Sequence, residues 1–325
     1  MDKYNTIQYY FVCILVVRQI SISFTERIDI QGNRVRGVTK LRNSIYILCL
    51  SGNVIQVFDD RTPFSLQKEI EIKEIKTPGD IFSNETENCL YVCDHREYCI
   101  FKITRERDNH HKIIKWLTTD YPLITVSVSS DGQLLMIRHS SNSLMIYGSD
   151  AELIRSIPLP GNIICPHHAV QTSIGNYVVI HTQEKEVVEV EDSVIKEWKR
   201  KDWLERSEGG EESNGGRKDM VLVVSELNRD GQMVIRRFIA TNEPRHVFDY
   251  YLSVHSDDRV FVADTGNDRM ILLNSDLRCY RVLCLTKDER RVRRPQRLCY
   301  DEEMKQVIVG KFLGSEVNVY TLSRS

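Results

Sequence analysis

The sequence predicts an all-β protein: a six-bladed β-propeller closed by an N-terminal strand, with a flexible insertion in the fourth blade. Three observations predict it. A motif of two apolar runs around a polar turn recurs about every 44 residues, a period that belongs to propeller blades. A proline stands about 15 residues ahead of the same motif position in several copies, where it can open a strand without breaking an internal ladder. The last copy also stops one strand short, while an unpartnered strand lies near the N-terminus.

The motif is clearest in "VFVADTGNDRMILL", starting at Val260: an apolar run, a polar turn and a second apolar run, read as two short strands. The same frame fits "IYILCLSGNVIQVF" from Ile45, "LYVCDHREYCIFKI" from Leu90, "LLMIRHSSNSLMIY" from Leu134 and "VIVGKFLGSEVNVY" from Val307. A weaker copy, "VVIHTQEKEVVEV", begins at Val178. The fifth position of each copy marks the register at Cys49, Asp94, Arg138, His181, Asp264 and Lys311. The opening prolines are Pro78, Pro122, Pro166 and Pro295.

The interval from His181 to Asp264 is nearly double. A seventh blade there would need its own proline-opened, alternating first strand. The intervening "KEWKRKDWLERSEGGEESNGGRKD" is charged and glycine-rich instead, so an insertion over about residues 191–219, with its tip from Glu205 to Asp219, is the better reading. "LNRDGQMVIRRF" from Leu227 then returns as the end of a third strand and the fourth strand of that blade. An open ring would expose sheet edges, so "RIDIQG" (Arg27–Gly32) is expected to complete the last blade. The predicted organisation is an apolar segment over 1–24 and a propeller over 25–325.

Composition bounds function only loosely. Lys and Arg total 44 against 46 for Asp and Glu, a net charge of -2, so no global field favours nucleic acid or anionic membrane. Nine cysteines is an odd number, and Cys49, Cys89, Cys93 and Cys99 lack metal-ligand spacing. They read as buried, reduced thiols, which favours a cytoplasmic location. The run "IQYYFVCILVV" (Ile7–Val17) is too short to span a bilayer. It keeps secretion open as the alternative, although no Ala-x-Ala site follows it.

The Val260 copy resembles the repeat of the NHL family, with Val262, Ala263, Asp264, Asn267, Arg269 and Met270 on the Val-x-Val-Ala-Asp-x-x-Asn-x-Arg-Ile pattern. The Leu90 copy keeps Asp94. The resemblance implies a six-bladed propeller like those at the substrate- or RNA-binding end of tripartite-motif ubiquitin ligases. This sequence holds no RING or B-box cysteine–histidine array, so the expectation it raises is a non-catalytic interaction scaffold or substrate-recognition module binding a protein partner.

Asp94, Asp264, Asn267 and Arg269 are read as structural residues of the repeat turn, since Asp and Asn side chains cap backbone groups there. "KDERRVRRPQR" places Arg290, Arg291, Arg293 and Arg294 in a blade-connecting loop, with a second pair at Arg236 and Arg237. They are candidates for RNA or partner binding, though no aromatic interleaves them for base stacking. An RNA-binding propeller is therefore the alternative. A lactonase- or lyase-like enzyme comes third: the register positions carry mixed charge with two carboxylates, a poor set for a hard cation. Its only handhold is the trio His167, His168 and His181. No metal, cofactor, small-molecule substrate or membrane contact is implied.

Overall fold

The computed structural model describes residues 20–30, 33–51, 53–106, 110–121, 125–138, 142–184, 220–240, 250–265, 268–277, 280–283, 294–311 and 314–324. Twenty-four strands make six antiparallel sheets of four, and no α-helix occurs among the described residues. None is therefore long and apolar enough to cross a membrane.

Each sheet is a blade whose first strand lies innermost. The inner strands are Val35–Leu41, Pro78–Asn84, Val126–Val128, Ile164–Gln171, Tyr250–Val254 and Pro295–Asp301, for blades 1 to 6 in turn. Each touches the inner strands of both neighbouring blades, and the sixth touches the first, so the ring is closed. Pro78 and Pro295 open their strands, where the missing N–H removes no ladder bond. Pro166 instead sits inside its strand at a break in register, which tolerates it for the same reason.

Closure occurs in blade 6, whose sheet order places the N-terminal strand Ile20–Asp29 beside the C-terminal strand Glu316–Arg324. The register runs from Ile20 opposite Arg324 to Asp29 opposite Glu316. The strand begins earlier than the Arg27 expected from sequence and ends at Asp29. Arg27 Nη1 donates to Glu316 Oε1 at 2.9 Å across this seam, and Thr25 and Thr321 share a hydroxyl hydrogen bond of 2.6 Å.

The core lies between blades rather than within one. Alternation along each strand sends side chains to both faces of its sheet, and each face packs on the next blade. Leu48, Ile55, Val57, Leu90 and Val92 thus fill the space between blades 1 and 2, while Ile28, Val35, Ile47, Ile308 and Val319 join blade 6 to blade 1. Polar seams reinforce the joins. Asn84 donates to the Gly132 carbonyl of the next blade at 3.0 Å, and Gly132 adopts a φ of +83°, which an L side chain would resist.

The fourth blade is built from Ile164–Gln171, Tyr177–Glu184, Met220–Leu227 and Met233–Ala240. Tyr177 pairs with Leu227 and Glu184 with Met220, so the interval between them bridges two adjacent strands of one sheet. The count is six blades. The proposed insertion over 191–219 lies outside the described residues, as do residues 1–19.

Candidate active site in the central channel

The sequence-derived register positions mark the second strand of each blade, one strand away from the channel. Their neighbours on the inner strand are the residues that matter. Asp80 stands opposite Cys93, one residue before Asp94. By the same step Gly37 stands opposite Leu48, His168 opposite Ile180, Tyr251 opposite Ala263 and Arg297 opposite Gly310. Five blades thereby contribute Gly, Asp, His, Tyr and Arg at one level of the ring.

These side chains touch. Arg297 Nε donates to Asp80 Oδ1 at 2.9 Å, joining blade 6 to blade 2 across the position of blade 1. Gly37 leaves that path open: a Cβ there would stand 2.7 Å from Ile81 Cγ2, 2.8 Å from Ile81 N and 3.0 Å from Asp80 Oδ1. The Arg297 guanidinium also lies 5.0 Å from the centre of the Tyr251 ring, a cation–π contact. His168 stacks on the same ring at 4.0 Å.

His168 is held by both nitrogens. The Leu252 N–H donates to Nδ1 at 3.2 Å, and Nε2 faces the Val126 carbonyl at 3.5 Å. This matches the neutral tautomer with the proton on Nε2. Burial and then the charge of Arg297 push its pKa down to about 3, so the ring stays neutral and acts as a rigid plate behind Tyr251.

Asp80 is the reactive member. It is 0% exposed, Oδ1 takes the Arg297 bond and also accepts from Ile81 N, and Oδ2 has no hydrogen-bond partner. Desolvation outweighs the attraction of Arg297 and raises its pKa from 3.8 to about 6. Arg297 is 5% exposed and Tyr251 7%. Nη1 of Arg297 donates to the Gln296 carbonyl at 3.3 Å. Nη2 and the Tyr251 hydroxyl make no hydrogen bond among the described residues. Burial also holds the Tyr251 pKa well above 10, so it is a neutral hydrogen-bond donor rather than an acid.

The residues singled out from sequence fall elsewhere. Asp94 Oδ2 accepts from the N–H groups of Lys76 and Thr77, and Oδ1 from those of Arg96 and Glu97, which lowers its pKa despite burial. Asp264, 0% exposed, accepts from Arg269 Nε at 2.5 Å. Asn267, Arg290, Arg291 and Arg293 lie outside the described residues. Arg294 is exposed, and its N–H donates to Asp268 at 2.7 Å. Arg236 and Arg237 lie on the fourth strand of blade 4. Of the three histidines only His168 joins the ring. His181 lies on the second strand, bonded to Ser225 Oγ at 2.9 Å, and the His167 ring meets Tyr250 edge-on at 5.2 Å.

Cys49, Cys89, Cys93 and Cys99 are buried and unbridged; burial pushes the Cys49 thiol up to about 12. Among the described residues no group of three or more His, Cys, Asp or Glu converges so as to hold a metal ion. Three of the ring residues did leave a trace in the sequence: Asp80, His168 and Arg297 each lie two positions after one of the prolines that recur at the blade register, Pro78, Pro166 and Pro295. Tyr251 and Gly37 have no such marker.

The chain is thus a six-bladed propeller with an ionisable ring in its channel. Solved structures of similar shape include virginiamycin B lyase from Staphylococcus aureus, with a TM-score of 0.57, 10% identity, and coverage of 93% of this chain and 99% of that one. A streptogramin B lyase gives 0.55 at 10% identity, covering 94% and 98%. Hydrazine synthase from Kuenenia stuttgartiensis gives 0.57 at 14% identity, covering 90% and 95%. At these identities the likeness establishes the fold. No protein-family model matches the chain, and no curated protein matches it in sequence.

These findings correct the expectation of a non-catalytic scaffold. The propellers that share this shape include lyases, and the NHL or tripartite-motif assignment gains no support beyond the six-bladed architecture. The expectation failed for a physical reason. It judged the channel by second-strand residues, whereas the chemistry-bearing side chains occupy the first strand, where all the blades converge.

Proposed function

We propose that the chain is a propeller enzyme that carries out acid–base chemistry in the channel, with Asp80 as the proton-transfer group of a lyase-type elimination. The observation that carries this reading is the state of Asp80: a buried carboxyl with one oxygen unpartnered and a pKa raised to about 6. Such a group changes protonation near neutral pH, as a general base and acid must. The lyases among propellers of similar shape support the choice of reaction class.

In the proposed step Oδ2 of Asp80 takes a proton from a substrate carbon next to an electron-withdrawing carbonyl. The C–H pair becomes the new C=C bond, and the leaving group departs with the pair of the bond that breaks. Protonated Asp80 then returns its proton to the leaving group, so no external reactant is required. Arg297 and the Tyr251 hydroxyl donate toward oxygen that gains negative charge as the proton leaves.

The test is turnover of a panel of carbonyl compounds bearing a β-acyloxy leaving group, read by absorbance of the conjugated product, with quinupristin, the compound bound in one lyase structure, included. Turnover is expected to rise with pH through an apparent pKa near 6 and to be lost in Asp80→Asn. An unchanged rate in Asp80→Asn would refute the role of Asp80.

A further inference from the structure

We infer that the channel ring is a binding site for a small carboxylate, which enters together with a proton. This rests on the acid–base reading and goes beyond it: the carboxylate is a ligand of the acid form of the site and competes with the substrate, which meets the ionised form. Three polar groups from three blades are uncommitted at one level of the ring: Nη2 of Arg297, the hydroxyl of Tyr251 and Oδ2 of Asp80. The first two are donors, and both residues keep a small exposed surface.

The cation at the ring is already paired, and this sets how an anion can bind. While Asp80 is ionised it neutralises Arg297 and repels a second carboxylate. Once Asp80 is protonated, Arg297 becomes an uncompensated buried cation with a free N–H, and the Asp80 carboxyl gains an O–H that can itself donate to the incoming anion. The bound state then holds one cation, one anion and one neutral acid, with every new contact charge-assisted. The incoming proton goes to Asp80.

The surroundings favour this exchange. Cys93 and Tyr251, which lie near Asp80, are held neutral by burial, and the His95 ring packs against Gly79, the residue before Asp80. His168 is neutral with both ring nitrogens engaged. From blade 3, Thr125 and Ser127 spend their hydroxyls on the carbonyls of His167 and Ala169. Blade 1 contributes Gly37 at this level, while its Lys40 pairs with Asp60 and Asp301. Asp80 is therefore the group here placed to take up the proton.

The experiment is calorimetric titration of the full chain with formate, and with formamide as its neutral counterpart, at pH 5 and 7.5 in two buffers of different ionisation enthalpy. Formate is expected to bind at least about tenfold more tightly at pH 5, because affinity falls about tenfold per pH unit once Asp80 must first be protonated. Proton uptake should approach one per site at pH 7.5, and formamide should not compete. Asp80→Asn should bind formate with no pH dependence. The double variant Asp80→Asn/Arg297→Gln, which removes both charges and so avoids a stranded one, should not bind it. Equal binding of formate and formamide, no formate binding at pH 5, or formate affinity in the wild type that ignores pH would each overturn the inference. Loss of formate binding with turnover still dependent on Asp80 would reject the anion site and leave the enzyme reading standing. Formate binding with turnover indifferent to Asp80→Asn would do the reverse.

Discussion

Replacing Asp80 by Asn removes a buried ionisable group whose folded pKa, about 6, lies above its ordinary 3.8. Between those two values the folded protein binds more protons than the unfolded chain. Stability is therefore fully present below about pH 3.8, falls as pH rises, and has lost this contribution once pH passes about 6. The shift corresponds to about 3 kcal/mol, the cost of ionising Asp80 in its buried position even with Arg297 beside it. Asn keeps the shape and an acceptor for Arg297 Nε but cannot ionise. The assay is urea unfolding of wild type and variant at pH 4 and 7.5. The stability difference between the two proteins should move by about 2 kcal/mol in favour of the variant on going to the higher pH, the rest of the contribution being already lost at pH 4, where the unfolded Asp is more than half ionised. All other titrating groups are common to both and largely cancel. A difference that does not change with pH would refute the argument that burial dominates the Arg297 attraction.

Three further outcomes are expected. Gly37→Ala should destabilise by about 1–3 kcal/mol, because the new methyl meets the backbone nitrogen of Ile81, which cannot swing aside; thermal unfolding would show it, and an unchanged midpoint would mean the ring is looser than its geometry. His168→Gln should remove part of the acid sensitivity of the fold. A folded pKa lowered from 6.5 to about 3 gives stability that is present above about pH 6.5 and lost as pH falls toward 3, which acid-unfolding curves of the two proteins would compare. Arg269→Ala should cost about 3 kcal/mol by leaving the fully buried Asp264 carboxylate short of its cation, measured by urea unfolding against the exposed control Lys73→Ala.

The sequence alone determined the architecture. Blade repeats are local events: apolar runs alternate, turns carry Asp, Asn and Gly, and prolines open strands, so their spacing survives in one dimension. The count of six followed from the character of the long interval before Asp264, and the closing strand followed from the missing fourth strand in the last repeat. Even the turn residues Asp94 and Asp264 are legible, because their partners lie within the same repeat or just ahead of it.

The site belongs to the tertiary structure. Asp80 and Arg297 are 217 positions apart, and nothing local in either repeat calls for the other. They meet because ring closure brings blade 6 around to blade 1 and Gly37 leaves the gap between them empty. The raised pKa of Asp80, the neutrality of His168 and the free donors on Tyr251 and Arg297 all follow from burial at the point where inner strands converge. Burial of that kind is a property of the closed ring, and no single repeat carries it.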